Sequence, residues 1–426
     1  MLAEGGGITV KRDLAETAGS VRAAKRKASD GLILGPTRKS ARCAAQRGLV
    51  AGMQALPDDV LEVIFGRLAG AASPTDYFHG MLTCKRFHRA GLSKQALSRA
   101  GEEVLAVRAE SWHRGASAFA DAAVAAGSTF ALFFVGSVKF YCAGDAEQRK
   151  TGAALLAKAA VAGSPEAHHS LAIMHFNGSG GKRKDKDPEA GAELCARGNI
   201  LFGFIPAKRE LGHCLQDGFG VEQDAPLGRR LLAEAAKQDA QTPAVDAAVT
   251  AATAAAAAVE ERLRKRNDIN TLHAAVAAAA EVSAAAKTAA EAHLTATPEN
   301  RFLLDWYGRA GNPLAPGTHA CSHPLCGRVE TRRHEFRRCS CCGRVRYCSR
   351  SCQSMDWRLQ HKFACLPLLE LYGWVESDAE STETAAVAGG AGGNDAGASS
   401  SAASDVAPIL PGTYGAAFAA VDAMMD

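Results

Sequence analysis

Apolar side chains begin to recur at helical spacing at Leu56, where a polar and basic stretch ends. Pro57 suits the first turn of a helix, and the two aspartates after it favour the positive end of a helix dipole. The next apolar positions fall on one helix face, and they are Val60, Leu61, Ile64, Phe65 and Leu68. A second helical segment contains Leu82 and Phe87. The pattern therefore predicts a small helical module over residues 55–100.

A two-helix pattern then recurs three times at intervals of 36 to 40 residues. The aligned copies begin at Ala131, Ala167 and Ala207, and small residues follow at the positions where paired helices approach closely. In the last two copies a glycine pair follows the first helix, as a left-handed turn requires. We expect a solenoid of helix pairs over residues 101–239. Such repeats usually hold another protein, and a purely structural spacer is the alternative.

Three other stretches lack the pattern of a packed core. Residues 240–297 are rich in alanine, which favours helix but offers little apolar area, so we expect a helical linker without a packed partner. Residues 1–48 carry ten Lys and Arg against four acids, and we expect a disordered basic arm over residues 1–54. Residues 375–426 contain eight acids and no Lys or Arg, which predicts a disordered acidic tail.

Length and composition narrow the class of protein. A chain of 426 residues suggests two or three modules. No apolar run approaches the roughly 18 residues of a membrane span, so we expect neither a membrane protein nor a secreted one. Basic clusters at residues 25–27 and 38–39 are spaced like a bipartite nuclear import signal, with a solvated basic tail as the alternative. We expect a nuclear or nucleocytoplasmic location.

The chemistry of the chain is concentrated in its cysteines, because eight of the thirteen lie between residues 321 and 365. The candidate ligands form four pairs: Cys321 with Cys326, Cys339 with Cys342, Cys348 with Cys352, and His361 with Cys365. Eight such donors fill two tetrahedral zinc sites, and the crowding favours metal over disulfides. Four protein ligands per ion leave no open position for water, so we predict two structural Zn²⁺ ions without a catalytic role. Cys341 is interpreted as a neighbouring thiol.

The order of these ligands, with the one histidine in seventh place, resembles the MYND zinc finger. We place the finger at residues 319–367, after a connector at residues 298–318. The resemblance implies interleaved sites, one formed by Cys321, Cys326, Cys348 and Cys352, and the other by Cys339, Cys342, His361 and Cys365. A RING finger would place its histidine near the fourth position, where this chain has Cys342.

The charge of the finger bears on its partner. Residues 319–366 contain ten Lys and Arg against three acids. When the seven thiolates and two zinc ions are included, the net charge of the finger is about +4. A finger that recognises DNA needs a helix that projects side chains onto base edges, and the sequence indicates no such element. We therefore expect a peptide or protein partner rather than nucleic acid. MYND fingers bind short proline-containing peptides, so the resemblance supports the same expectation.

The helices over residues 55–100 resemble an F-box, although Phe87 stands where F-box sequences often have Trp. An F-box, Sel-type repeats and a MYND finger in this order resemble a family of plant F-box proteins. The strings that carry the resemblance lie at residues 176–181, 211–218, 301–306 and 330–339. The implied fold is mainly α: F-box helices and a short α-solenoid of helix-pair repeats, with a small two-zinc MYND finger and disordered tails.

The resemblance implies a substrate-recruiting, non-catalytic adaptor subunit of an SCF-type ubiquitin ligase. The F-box would dock the Skp-type adaptor of the cullin ligase core through Leu56, Pro57, Leu61, Ile64, Phe65 and Leu82. The repeats and the finger would bind an unidentified client protein. A nuclear regulatory scaffold without a link to ubiquitination is the alternative. Lysine methyltransferases also contain MYND fingers, but the sequence has no strand-rich pattern typical of their SET domain.

Overall fold

A computed structural model describes most of the central part of the chain. The described residues are 52, 55–71, 73–142, 144–266, 272–308 and 311–365. The predicted basic arm, apart from Gly52, and the predicted acidic tail lie outside these ranges. The proposed import signal lies there too, so the location of the protein in the cell stays a prediction. The chain divides into two units, Met1–Leu56 and Pro57–Asp426, and the following description concerns the second.

The second unit begins with four helices that form the predicted helical module. They are α1 (Asp58–Ala69), α2 (Pro74–Thr83), α3 (Lys85–Gly91) and α4 (Lys94–Leu97). The ring of Phe65 meets the rings of Tyr77 and Phe87 edge-on, at centroid distances of 6.1 and 5.8 Å. The Tyr77 hydroxyl donates to the Gly91 carbonyl at 2.8 Å. Burial of this phenol raises its pKa to about 12, so it stays a neutral donor.

Helix pairs follow, as the repeat pattern predicts. The elements are the 3₁₀ helix Ala109–Arg114, α5 (Ala116–Ala126), α6 (Thr129–Tyr141), α7 (Ala146–Val161), α8 (Pro165–Asn177), α9 (Pro188–Phe202), α10 (Ile205–Asp217) and α11 (Ala225–Ala240). Helices α6 and α7, α8 and α9, and α10 and α11 pack as pairs. Gly178 and Gly218 end α8 and α10 with φ angles of 62° and 66°, the left-handed conformation that favours glycine.

Paired helices touch backbone to backbone where small residues recur. A Cβ atom on Gly152 of α7 would lie 2.5 Å from the Phe140 nitrogen and 2.7 Å from the Gly136 oxygen of α6. The last repeat has the same arrangement, because a Cβ atom on Gly228 would lie 2.6 Å from the Gly212 oxygen. These contacts leave no room for a side chain. The small residues at aligned positions therefore set the distance between helices within each pair.

Gly152→Ala tests this close approach. Alanine in an exposed helix interior normally stabilises a protein by about 0.5–1 kcal/mol relative to glycine. Here we expect the opposite sign, a loss of about 1–3 kcal/mol in the free energy of unfolding, because the new methyl group overlaps backbone atoms of α6. Gly144→Ala is the matched control, since nothing lies within 4 Å of its added Cβ atom. Denaturant titration measures both, and an equal effect of the two changes would contradict this packing.

The alanine-rich stretch is helical, as predicted, but it has a packed partner. Helices α12 (Pro243–Arg266) and α13 (Leu272–Glu291) lie against each other. Their shared core consists of Ala248, Ala252, Ala256, Val259, Leu263, Val282, Ala286 and Ala290. Alanines four residues apart form a narrow stripe that lets two helices approach closely. The expectation of a linker without a packed partner was therefore wrong.

The connector also contributes to the core. Its helix α14 (Pro298–Tyr307) buries Phe302, whose ring meets Trp112 and Phe134 at centroid distances of 5.2 and 5.6 Å. Within the described chain no single helix is long and apolar enough to cross a membrane. Only α11 and Pro243–Lys265, bent by 87° at their junction, pass that test of length and composition together.

The last part of the described chain is small and irregular. Strand β1 (Arg337–Arg338) pairs antiparallel with β2 (Arg346–Tyr347), so that Arg337 lies opposite Tyr347. Helix α15 (Arg350–Asp356), a π-helical turn (Trp357–His361) and α16 (Lys362–Ala364) follow. The protein is mainly α-helical, which confirms the predicted fold class, and the candidate metal ligands lie in this final segment.

Candidate metal centre

The first group of ligands joins a loop to the start of a helix. Cys321 and Cys326 lie on a loop whose backbone is closed by the Cys321 amide, which donates to the Arg328 carbonyl at 2.8 Å. Cys348 follows β2, and Cys352 lies in the first turn of α15. The Ser349 hydroxyl caps this helix by accepting from the Cys352 amide at 3.0 Å. Secondary structure thus brings the two predicted pairs to one place.

The second group of ligands joins the β-hairpin to the last described residues of the chain. Cys339 and Cys342 lie in a turn in which the Gly343 amide donates to the Cys339 carbonyl at 2.9 Å. Gly343 has a φ angle of 63°, as predicted for a zinc knuckle with glycine after the second cysteine. His361 and Cys365 approach from the π-helical turn and from the residue after α16.

Both groups have the geometry of a tetrahedral zinc site. The four ligand atoms of each group lie within 4.8 Å of one another, and all eight residues are buried. The sulfurs of Cys326 and Cys348 are 3.6 Å apart, and those of Cys339 and Cys365 are 3.8 Å apart. Zinc–sulfur bonds of about 2.3 Å in a tetrahedron place sulfurs about 3.8 Å apart. The donor set therefore fits two structural zinc ions, each of which would cross-link distant segments of the finger.

The two groups are those that the resemblance implied. Cys321, Cys326, Cys348 and Cys352 form one, and Cys339, Cys342, His361 and Cys365 form the other. Cys341 belongs to neither and is only partly buried. With four protein donors around each centre, the sites are closed, and this arrangement is typical of structural rather than catalytic zinc.

Two buried carboxylates hold the loops between the ligands. Glu330 accepts from the His319 amide at 3.0 Å and from the Phe336 amide at 2.9 Å. Glu335 accepts from the amide of Thr331 at 2.6 Å. Each carboxylate thereby satisfies backbone groups of an irregular loop that has no regular secondary structure to do so. No separate signal in the sequence pointed to these two glutamates, which lie among arginines that are mostly exposed.

A buried arginine balances the charge of the first group. The Arg328 guanidinium lies 4.0 Å from the Cys326 sulfur and donates to the Ser170 hydroxyl at 2.9 Å. Burial lowers its pKa, but the charges of Cys326 and neighbouring groups outweigh burial and raise the pKa well above the ordinary value. Burial, and then the charge of Arg328, lowers the pKa of His169 to about 3, so this histidine is neutral. Four thiolates and one zinc ion carry a net charge of −2, which Arg328 partly offsets.

The finger lies directly on the repeats. The Asn177 amide at the end of α8 donates to the Cys348 carbonyl at 2.8 Å. Ile173 of α8 is 1% exposed and packs in the same apolar cluster as the zinc ligands. The repeats, for which we predicted a client protein, are therefore partly covered by the finger of the same chain.

Helix α10 makes the second contact with the finger, and it does so through charged side chains. Glu210 accepts from the Ser351 amide at 2.5 Å, and Arg209 donates to the Ser351 hydroxyl at 2.7 Å. Arg209 also pairs with Asp239 of α11, and Asp239 accepts from Arg358 of the finger at 2.8 Å. Arg209, Glu210 and Asp239 are all at most 5% exposed. These residues form a buried ionic network that ties the last repeat to α15.

The alanine-rich helix pair packs against the last part of the finger. Leu359, in the π-helical turn, is 1% exposed and belongs to the same apolar cluster as the alanines of α12 and α13. Met355 and Phe363 pack against that cluster as well. The finger thus contacts both the repeats and a helix pair that the sequence indicated only as a spacer.

The six predicted adaptor-docking residues separate into two classes. Leu61 and Phe65 are at most 1% exposed and belong to the core of the helical module. They stabilise that module and cannot touch a partner while it keeps this packing, which corrects the prediction of direct contact for these two. Leu82 is 80% exposed, Pro57 is exposed, and Leu56 and Ile64 are partly exposed. Their docking role stays a prediction.

Comparison with protein families agrees with the modules found here. A family model for the MYND finger matches residues 321–365, which begin and end on the outermost ligands. A model for the Sel1 repeat matches residues 165–197 and 205–239, the second and third helix pairs. The solved structure of a protective antigen of uropathogenic Escherichia coli with an SLR fold is 16% identical in sequence. The match covers 64% of this chain and 63% of the antigen chain. Its TM-score of 0.33 is too low to bear on the fold.

Two curated relatives from Arabidopsis thaliana match most of the chain. F-box protein At5g50450 is 41% identical over 326 residues, which cover 76% of this chain and 87% of its own length. F-box protein At1g67340 is 39% identical over 327 residues, which cover 76% of this chain and 82% of its own length. These matches, together with the repeats and the paired cysteine clusters, show that the chain belongs to a family of F-box proteins with Sel1 repeats and a MYND zinc finger.

Proposed function

We propose that the protein is a non-catalytic adaptor that recruits a client protein to an SCF-type ubiquitin ligase. The observation that carries this proposal is the family, whose members in Arabidopsis thaliana are named F-box proteins. The repeat and finger modules are of the kind that binds other proteins, which supports the client-binding part. In this role the F-box helices dock a Skp-type adaptor of the cullin ligase core.

Apolar exposure on the first two helices supports the docking step. Leu82 at the end of α2 is 80% exposed, and Val60, Val63 and Phe78 are each exposed by 37% to 39%. Aliphatic and aromatic side chains in contact with water favour burial against a partner. Leu82 is therefore the residue in this module whose replacement tests docking with the least effect on folding.

Rigid packing connects these helices to the rest of the protein. The ring of Phe119 in α5 lies 6.4 Å from Tyr77 and 6.0 Å from Phe78, measured between centroids. Helix α14 packs on α6 in turn, and the repeats carry the finger. A client held by the repeats or the finger would keep a defined position relative to the ligase. Such an adaptor accelerates ubiquitin transfer by raising the effective concentration of client lysines near the charged enzyme.

The docking step is tested by Leu82→Asp in a pull-down with a purified Skp-type adaptor. We expect the retained adaptor to fall by roughly tenfold or more, because a carboxylate would have to be desolvated at the contact. Val161→Asp is the matched control, since Val161 is 91% exposed on α7 outside the F-box helices. It should bind as the wild type does.

Either of two results would count against the proposed docking surface. One is equal retention of the adaptor by the wild type and Leu82→Asp, and the other is an equal loss in Leu82→Asp and Val161→Asp. Substitution of Leu61 is unsuitable for this purpose. Its side chain is fully buried, so a charge there would unfold the module and remove binding for a different reason.

A further inference from the structure

Positive charges gather where the second repeat meets the finger. The loop between α8 and α9 and the strand β1 with its preceding loop supply them, and we call this surface the basic face: Arg183, Lys184, Lys186, Arg332 and Arg337. Two contacts bring the segments together. The Gly180 amide donates to the Thr331 hydroxyl at 2.7 Å, and the Ser179 hydroxyl bonds to Glu335. The basic face is thus built from two modules and exists only because the finger lies on the repeats.

The carboxylates near the basic face offset its charge only in part: Glu210 and Asp217 attract Arg337, and Glu335 attracts Lys186. Asp185 accepts from the Lys182 amide at 2.7 Å, and Asp187 accepts from the Ala190 amide at 2.9 Å. Glu335 is buried and bonded to loop amides. Within the described ranges, the basic face residues form no ion pair with a carboxylate. All but Arg332 are exposed, so an anionic partner can reach them.

The cations of the two segments are close enough to repel one another. Burial lowers the pKa of Lys186, and the charges of Arg332, Arg183 and Arg337 lower it further. This repulsion favours the binding of an anionic partner. A segment with several carboxylates would relieve it at more than one position.

The last described residue, Cys365, lies beside the basic face. Cys365 lies next to Cys339, with 3.8 Å between the sulfurs, and Cys339 directly follows β1 of the basic face. Glu370 is the first acid after this point, and Glu376 comes eleven residues after Cys365. An extended chain of that length spans at most about 35–40 Å. The four acids that follow closely are Glu376, Asp378, Glu380 and Glu383.

We propose that residues 376–383 of the chain bind the basic face of the same molecule. Four carboxylates within eight residues complement the unpaired cations, and the short covalent connection gives the segment a high effective concentration. Because the contact is electrostatic and exposed, it is weakened by salt, and an acidic region of another protein competes with it.

Zero-length carbodiimide cross-linking of the full zinc-loaded chain tests this contact, because it joins lysines to carboxylates that touch. We expect peptides in which Lys184 or Lys186 is joined to residues 376–383. An equimolar mixture of ¹⁴N- and ¹⁵N-labelled chains identifies the source of each carboxylate, and both halves of each product should carry the same label. The yield should fall strongly at about 1 M salt, where the Debye length is about 3 Å.

The matched variants keep both lysines and change only neighbouring arginines. Arg183→Glu with Arg337→Glu should reduce the yield by roughly tenfold, since two attractive charges become repulsive. Arg229→Glu with Arg230→Glu makes the same change in net charge at exposed positions of α11 and should leave the yield unchanged. Both variants must retain the wild-type zinc content, which shows that the finger is intact.

Several results would overturn the proposal. They are the absence of these cross-links in the wild type, an equal yield in both variants, and products that combine the two labels, which would make a second copy the partner. A mixed-sequence DNA duplex that binds the wild type while the cross-links are absent would assign the basic face to nucleic acid instead. The test does not involve the Skp-type adaptor, so its outcome is independent of the proposed ligase function.

Discussion

Cys348→Ala is expected to abolish the first zinc site and unfold the finger. The Cys348 sulfur lies 3.6 Å from that of Cys326 and 3.5 Å from that of Cys352, so its loss leaves three ligands on two separate segments. Binding of a structural zinc ion contributes about 10–16 kcal/mol in apparent terms, as much as the whole stability of many domains. The zinc content measured by mass spectrometry should therefore fall from two ions per chain to one or none.

Cys341→Ala is the control for this change. Cys341 lies beside a ligand in the sequence, yet it belongs to neither group, so the variant should keep two zinc ions and the wild-type circular dichroism spectrum. Two zinc ions in Cys348→Ala would contradict the assignment of the ligands. A loss of zinc in Cys341→Ala would contradict the pairing of Cys339 with Cys342 in the second site.

The buried ionic network between the last repeat and the finger predicts the second large effect. Asp239→Ala removes the carboxylate that Arg209 and Arg358 share and leaves the buried guanidinium of Arg209 without its counter-charge. Breaking a buried pair in this way costs about 3–5 kcal/mol, because an uncompensated charge stays in a dry environment. We expect a loss of this size in the free energy of unfolding, measured by denaturant titration.

Glu193→Ala is the matched control for the network. It breaks the pair with Arg197 on α9, where both side chains are about 60% exposed, and such pairs contribute about 0–1 kcal/mol. Similar losses in the two variants would show that Arg209 and Asp239 are solvated in the protein. The finger would then rest on the repeats more loosely than the structure indicates.

The zinc ligands and the repeats could be predicted because both depend on local spacing. Cys339 and Cys342 converge within one turn, and the glycines after α8 and α10 end their helices with left-handed turns. The number of zinc ions follows from the number of donors. The division of the ligands between two sites required the family resemblance, because the spacing alone allows either sequential or interleaved pairs.

The docking of the finger could not be predicted from the sequence, because it depends on contacts between distant segments. Lys208, Arg209 and Glu210 form a charged run of the kind that usually lies on a solvated helix face, yet all three are buried. The signal available in the sequence was their place at the start of a repeat helix. Likewise, the alanines of α12 gave no indication of Leu359, which they meet about a hundred residues later.

The predicted docking residues include both buried and exposed side chains, because apolar spacing does not distinguish the two. Helical periodicity identifies an apolar face but does not say whether that face meets the core of its own module or a partner. Leu61 and Phe65 serve the core, whereas Leu82 is exposed to solvent. A prediction of partner contacts from apolar spacing alone therefore mixes residues of both kinds.

The central claim, that this protein docks a Skp-type adaptor through its F-box helices, is tested most directly by reconstitution. The full zinc-loaded chain is mixed with purified Skp-type adaptor and the cullin ligase core and analysed by size-exclusion chromatography with light scattering. We expect one peak that contains all components, at a mass equal to their sum. Elution of a folded chain with two bound zinc ions, separate from the Skp-type adaptor, would contradict it.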